Sequence, residues 1–145
     1  MAIRQLTVFV ENKQGTIVSV TDILAKNNVN IRALSIAETE DFGILRLIVN
    51  NEATAVKTLE EAGFLLKITE VVGVKIGDAP GKLTAALRVL DEANVNVEYL
   101  YAFMARTERH AYVVLRVEEN AEAENILVNA GFHLITAAFY NHFDV

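Results

Sequence analysis

The amino-acid sequence predicts an α+β fold of two tandem βαββαβ units, each with an antiparallel four-stranded sheet and both helices on one face. The first observation is a repeat, since residues 6–34 align with residues 72–100 at an offset of 66. The second is that Ala62-Gly63-Phe64 returns as Ala130-Gly131-Phe132 at an offset of 68, with two residues inserted near 104–110. The third is that both halves show the same order of strand and helix patterns.

The repeat divides the 145-residue chain into two units. The first covers residues 1–69, and the second covers residues 70–145 and includes a C-terminal tail over 137–145. A unit of this size is near the limit at which a single hydrophobic core is stable alone. We therefore expect the two units to share an interface, and we expect that chains associate further.

The elements of the first unit follow from hydrophobic periodicity. Residues 3–11 alternate around Leu6 and Val8, which predicts a strand. Gly15 marks a turn, and apolar residues at helical spacing then predict a helix that ends near Asn28, because asparagine tolerates the left-handed conformation past helix ends. The remaining predicted elements are a strand over Val29–Ala37, a polar turn over 38–41, a strand over Gly43–Val49, a helix over Ala53–Ala62 ended by Gly63, and a short strand over Phe64–Ile68.

The second unit repeats this order of elements. Its predicted elements are Val71–Ile76, Gly81–Ala93, Val95–Met104, Ala111–Val117, Ala121–Ala130 and Phe132–Thr136. The order βαββαβ is that of the ferredoxin-like fold, in which both helices pack on one face of the sheet.

The strand over Val95–Met104 bears on what covers the other face of the sheet. One predicted stripe is Val97, Tyr99, Tyr101 and Phe103, and the opposite stripe is Leu100, Ala102 and Met104. Both faces of this strand are therefore expected to be buried, whereas an open face would carry polar residues. Two covers stay open: the tail with Phe139, Tyr140 and Phe143, or another sheet from the other unit or a partner chain. The second cover favours a homodimer.

Composition excludes several function classes. The net charge of −6 argues against nucleic-acid binding, which needs clustered Lys and Arg. The chain has no cysteine, and its three histidines, His110, His133 and His142, are isolated, so no metal or other cofactor is expected. No apolar run approaches the roughly 18 residues that cross a bilayer, and no signal-peptide pattern is present. We expect no membrane contact and a cytoplasmic location.

Two polar loops, one in each unit, are the strongest candidates for chemistry. They run over residues 11–17 and 77–83, between the first strand and the first helix of each unit, and contain Gly15 and Gly81. The N–H groups and positive dipole end of such a helix favour a carboxylate. Pro80 is expected in the first helical turn. Asn12 and Asp78 are placed either to accept a hydrogen bond from an ammonium or to cap the helix.

A second cluster is also copied between the units. It reads Asn28-Val29-Asn30 in the first unit and Asn94-Val95-Asn96 in the second. We expect this cluster at the start of the next strand and beside the first strand of its unit. That position would place it close to the Gly15 or Gly81 loop.

These motifs together resemble the ACT domain. The resemblance rests on a strand, a (D/N)-x-P-G-x-(L/I) loop, a helix that ends in N-x-N-(I/V), and the βαββαβ order, and it covers about residues 3–136. It implies binding of an amino acid or similar metabolite at interfaces between two ACT units. The positions that it implies for ligand contact are Asn12, Gln14, Gly15, Thr16, Ile17, Asn30 and Ile31, and then Asp78, Pro80, Gly81, Lys82, Leu83, Asn96 and Val97.

The two copies differ at positions that bear on the ligand. Gln14 stands where the family pattern has proline, so the first loop is expected to be less rigid than the second. Arg32 and Glu98, each one residue past an implied contact, have opposite charge. The two sites are therefore expected to differ in ligand preference.

The resemblance implies a non-enzymatic regulatory protein that senses an amino acid and acts on a metabolic enzyme, and the apolar sheet surface indicates that it forms a homodimer. The alternative is a structural or regulatory-subunit module that docks on an enzyme without binding ligand. A third hypothesis is a small ferredoxin-like enzyme, but no convergent acid–base set can be assembled from the sequence. An RNA-recognition motif shares the βαββαβ order, but there the aromatic residues lie on other strands and within a basic signature.

Overall fold

The computed structural model describes residues 3–104 and 109–136. These residues form two compact units: an N-terminal unit of residues 4–69 and a C-terminal unit of residues 70–104 and 109–136 together with residue 3. The aromatic residues predicted in the tail lie outside the described residues, as does part of the predicted insertion.

The N-terminal unit confirms the predicted order of elements. They are β1 (Ile3–Glu11), α1 (Thr16–Lys26), β2 (Ile31–Glu38), β3 (Phe42–Val49), α2 (Glu52–Glu61) and the first part of β4 (Leu65–Gly77). The strand order is β2-β3-β1-β4, and β3 pairs antiparallel with both β1 and β2. The expectation that Asn28-Val29-Asn30 lies beside the first strand is therefore wrong, because the strand it leads into neighbours β3.

The C-terminal unit has the same topology. After the second part of β4 come α3 (Lys82–Glu92), β5 (Tyr99–Ala102), β6 (His110–Arg116), α4 (Asn120–Asn129) and β7 (His133–Leu134). The strand order is β7-β4-β6-β5, with antiparallel pairing throughout. Sequence analysis predicted two strands over Phe64–Ile68 and Val71–Ile76, whereas β4 is one continuous strand through both segments.

Equivalent cores lie between sheet and helices in the two units. In the N-terminal unit the cluster joins strand residues such as Val8 and Leu47 to Leu24 of α1 and Leu59 of α2. The cluster in the C-terminal unit has its own equivalents, and Leu90 takes the place of Leu24. Because Leu24 and Leu90 are both fully buried, packing explains why leucine is repeated at this position.

The four helices within residues 3–104 and 109–136 end in the same way. The residue just past each helix has a positive φ: 57° at Asn28, 92° at Gly63, 62° at Asn94 and 93° at Gly131. In α1, the N–H of Val29 donates to the Leu24 carbonyl at 2.9 Å and the N–H of Asn28 to the Ala25 carbonyl at 3.1 Å. This pair of bonds is the Schellman motif, and the other three helices repeat it. The repeated Asn-Val-Asn and Ala-Gly-Phe motifs are thus helix stop signals, as the sequence predicted for Asn28.

The helix starts differ, and this gives a testable prediction. The Asn51 side chain caps α2 by accepting a bond of 3.1 Å from the Thr54 N–H, whereas Glu119 precedes α4 without a side-chain cap bond. We expect Asn51→Ala to lower the free energy of unfolding by about 0.5–2 kcal/mol. The matched change Glu119→Ala should stay within about 0.5 kcal/mol. Urea unfolding followed by circular dichroism measures both, and equal losses would contradict the assigned cap.

The predicted face of Val97 is wrong. Val97 packs on the helix-side core together with Val95, while Tyr99 pairs with Arg116 on the opposite face. The equivalent segment of the N-terminal unit indicates why the prediction fails. There, a register shift between Ile31 and Ala33 interrupts the alternation of side chains in β2. A bulge moves all later residues to the other face. In the C-terminal unit, residues 95–98 precede β5 and are not part of the strand, so the alternation within β5 does not extend back to Val97.

The expectation that both faces of the strand over Val95–Met104 are buried is half correct. Tyr101 and Phe103 are each 8% exposed, and the rings of Tyr99 and Tyr101 stack with centroids 6.4 Å apart. Leu100 is 37% exposed and Met104 is 66% exposed. The face that carries Leu100 and Met104 is therefore not buried, and β5 is also the edge strand of its sheet.

Candidate functional site

The Gly15 and Gly81 loops are open helix starts. Gly15 has φ 90° and Gly81 φ 85°, and each is the N-cap of its helix with no side-chain cap bond and no acidic residue in the first turn. A Cβ atom built on either glycine meets nothing within 4 Å. A left-handed backbone explains why glycine stands there. The N–H groups of Thr16 and Lys82 donate to the carbonyls of Lys13 and Ala79 at 3.4 and 3.2 Å, so the N–H groups that follow them in α1 and α3 are the ones that could bind an anionic group.

Asn12 ties the Gly15 loop to the turn between β2 and β3. Its amide nitrogen donates to the carbonyls of Thr39 at 3.2 Å and Glu40 at 3.3 Å, in the turn between β2 and β3. Since Gly15 is the N-cap and has no side-chain bond, the capping alternative for Asn12 is wrong. Its predicted ligand contact stays a prediction, and the observed bonds position the loop.

The Gly81 loop is also tied to a neighbouring segment by a hydrogen bond. The N–H of Asp78 donates to the Arg109 carbonyl at 2.9 Å, which ties this loop to the start of β6. Pro80 lies one residue before the N-cap Gly81 and two residues before the first helical residue Lys82, so the expectation that it stands in the first helical turn is wrong. The methylenes of Lys82 lie over Gly77, since a Cβ atom there would be 3.0 Å from the Lys82 Cγ. Leu83 packs against the core of its unit.

A pocket of about 680 Å³ opens beside the first loop, within the N-terminal unit. Of the predicted contacts, Gln14, Gly15 and Thr16 line it, and Ile17 does not. The other lining residues are Phe9, Val10, Glu11, Lys13, Ser19, Phe42, Gly63, Phe64 and Leu65. This volume is in the range of small-molecule sites.

The polar side of the pocket holds a close ion pair. The Lys13 Nζ lies 3.0 Å from a carboxylate oxygen of Glu11, and both side chains are exposed. Thr16 Oγ1 is buried and has no hydrogen-bond partner among residues 3–104 and 109–136. A buried hydroxyl without a partner is unusual in folded proteins and marks a place where a ligand atom could bind.

The remaining predicted contacts lie elsewhere. Asn30 and Ile31 follow the C-terminal end of α1, an 11-residue helix of about 16 Å, so they do not complete the pocket of their own unit. Asn96 and Val97 hold the same place past α3, where Asn96 lines a polar cleft with Glu98, Arg116 and three further glutamates. Within each unit, the Gly15 or Gly81 loop and the Asn-Val-Asn motif thus lie apart, whereas we expected them to lie close together.

Sequence reasoning missed the apolar wall of the pocket. Phe9, Phe42 and Leu65 lie on three strands and were not singled out. One signal was available for Phe9, because it alternates with Val8 and Val10 and so occupies a position that predicts an outward face. The other two could not be grouped with it without the strand register.

In the part of the chain that the structure describes, no group of three or more His, Asp or Glu side chains is arranged to hold a metal ion. None of the four described helices has the length and apolar character of a membrane span.

Comparison with known proteins identifies the family. The family model described as ACT domain pair matches residues 1–139. The chain is 38% identical to protein BT0572 from Bacteroides thetaiotaomicron, with a TM-score of 0.90, and the match covers 97% of this chain and 96% of that one. A search of curated proteins finds no significant match.

More distant structures share the fold. One is the regulatory subunit of aspartate kinase from Thermus thermophilus, with 15% identity, a TM-score of 0.63, and coverage of 88% of this chain and 92% of that one. Another is E. coli aspartokinase III in complex with lysine and aspartate, with 16% identity, a TM-score of 0.50, and coverage of 89% and 31%. The family match extends across both repeats and agrees with their observed topology, which confirms the resemblance drawn from the sequence. The chain belongs to the ACT domain pair family.

Proposed function

We propose that this protein is a non-enzymatic regulator that binds a free amino acid at the Gly15 loop and passes the binding state to a metabolic enzyme. The observation that carries the proposal is the open helix start at Gly15 beside a pocket of about 680 Å³. Unused backbone N–H groups at a helix start bind a carboxylate, and every free amino acid has one.

The relatives support a regulatory role. The Thermus thermophilus structure is a regulatory subunit of aspartate kinase, and the E. coli aspartokinase structure holds lysine and aspartate. By analogy, this chain would act on a catalytic protein, and an amino acid would be its signal. Such a role needs no acid–base machinery of its own.

A thermal-shift screen of the purified protein against the common amino acids tests the proposal. A ligand at about 100 times its dissociation constant stabilises the folded protein by roughly 2.7 kcal/mol, which moves the melting temperature by several degrees. A screen in which no amino acid raises the melting temperature would refute ligand sensing.

The docking alternative would then stand in its place. Several large apolar side chains are exposed in the chain, among them Phe42, Leu65 and Met104. Surfaces of this kind often contact other proteins. A docking module would capture an enzyme partner with the same affinity in the presence and absence of amino acids, whereas a sensor would not.

We also propose that the protein is a homodimer that pairs through the β5 edge. Tyr101 and Phe103 are already buried within one chain, so the neighbouring exposed residues Leu100 and Met104 are the better candidates for the interface. An open edge strand with apolar side chains is a template for a second strand. A two-fold axis is the commonest way to close it.

Leu100→Glu is expected to convert this dimer to a monomer, because the carboxylate would be buried without a partner. Val128→Glu is the matched control, since Val128 is 52% exposed on α4, away from the strand edge. Sedimentation equilibrium measures the mass of both variants and of the unmodified protein. An unmodified protein with the mass of one chain at micromolar concentration would contradict the dimer.

A further inference from the structure

The pocket of the N-terminal unit has an apolar outer wall. Phe42 is 63% exposed and Leu65 is 71% exposed, and Phe9 lines the same pocket. Phe42 lies opposite Glu11 in the ladder between β1 and β3. Exposed large apolar side chains that share one concave surface indicate a binding surface for an apolar group.

The polar residues of this pocket, which begin at Glu11 beside Phe42, match the two charges of an amino acid. Lys13 and Glu11 are side by side at 3.0 Å, and Gly15 opens the start of α1 next to them. A free amino acid has one carboxylate and one ammonium on neighbouring atoms, so a cation beside an anion is complementary to it. Its side chain would then extend toward Phe42 and Leu65.

The C-terminal unit lacks both features at the equivalent positions. At the offset of 66, Glu11 and Lys13 become Gly77 and Ala79. At the offsets of 66 and 68, the apolar wall becomes polar, with Lys75, His110 and His133 in place of Phe9, Phe42 and Leu65. The ladder confirms the equivalence, because His110 pairs with Gly77 as Phe42 pairs with Glu11.

We infer that the pocket of the N-terminal unit selects free amino acids with a large apolar side chain, and that the Gly81 loop does not bind the same ligand. This inference rests on the proposed function and adds the class of ligand and the number of sites. One equivalent of such an amino acid per chain is therefore expected.

Calorimetric titration of the full-length protein tests it with L-phenylalanine, L-leucine, glycine and L-aspartate. L-Phenylalanine or L-leucine should bind at one site per chain and at least about tenfold more tightly than glycine or L-aspartate, because the apolar wall covers only a large side chain. Phe42→His, which installs the residue of the second copy, should weaken that binding about tenfold or more. His110→Ala is the matched control at the same position of the other unit and should change the affinity less than twofold.

Leu65→His gives an independent second variant of the wall, and circular dichroism checks that each variant is folded. Equal affinity for glycine, L-aspartate and L-phenylalanine would overturn the inference and leave amino-acid sensing intact. Binding that His110→Ala weakens as much as Phe42→His would also overturn it. If none of the four amino acids binds, the inference is wrong. The thermal-shift screen decides separately whether the protein senses another amino acid. A change of oligomeric mass in ligand-free Phe42→His would show that the wall contacts protein.

Discussion

Replacing Gly15 with alanine is expected to weaken amino-acid binding in the N-terminal unit by about 10- to 150-fold. The added Cβ atom projects into the open space where a ligand carboxylate would approach the first N–H groups of α1. Loss of one hydrogen bond to a charged group costs about 1.5–3 kcal/mol, which corresponds to that change in dissociation constant. Calorimetric titration with the amino acid found in the thermal-shift screen measures it.

Gly131→Ala is the control for this prediction. Gly131 also has a positive φ, 93°, and a Cβ atom there also meets nothing within 4 Å, but it ends α4 and lies outside the Gly15 pocket. Both substitutions place alanine in a left-handed conformation and should lower the free energy of unfolding by about 1–2 kcal/mol. Only Gly15→Ala should change the affinity. Equal affinities in the two variants would move the site away from Gly15.

The second large effect is expected in the core. Leu24→Ala and Leu90→Ala each remove a fully buried side chain at the same position of the two units. Each should lower the free energy of unfolding by about 2–5 kcal/mol, because the loss of buried apolar surface is added to the energy of a cavity. Urea unfolding measures the change.

Val128→Ala provides the comparison for these two variants, since Val128 is half exposed on α4. Its effect should stay within about 0.5 kcal/mol. A loss below 1 kcal/mol for Leu24→Ala would show that α1 is not packed on the sheet as described. A large loss for Leu90→Ala alone would show that the two cores are not equivalent.

The repeat made most of the fold predictable. Helix ends were the most reliable feature, because a Schellman motif depends on one residue with positive φ, and Asn28, Gly63, Asn94 and Gly131 all satisfy it. The element order followed from hydrophobic periods of two and 3.6 residues, which report only local geometry.

The predictions failed where the structure depends on contacts between residues that are distant in sequence. The shift between Ile31 and Ala33 changes which face later residues occupy, and no local period in the sequence reports it. The continuity of β4 through both units was missed for a similar reason, because the segment between the two predicted strands is also extended.

The candidate site was predictable only in its loop. Gly15 and Thr16 are adjacent in sequence, so a local pattern was enough to predict a helix start there. The apolar wall depends on side chains from separate strands, and the role of Asn12 depends on carbonyls 27 and 28 residues away. Such groupings follow from strand order and register, and these are set by the whole core.

Binding of an amino acid at the Gly15 loop can be mapped by the backbone amide shifts in 15N NMR spectra as the amino acid from the screen is added. We expect the largest shifts at Gly15, Thr16 and Ile17, at the start of α1. Smaller shifts are expected at Phe42 and Leu65, and little change is expected at Gly131. No shifts at saturating concentration, or shifts confined to residues outside the Gly15 loop, would contradict binding there.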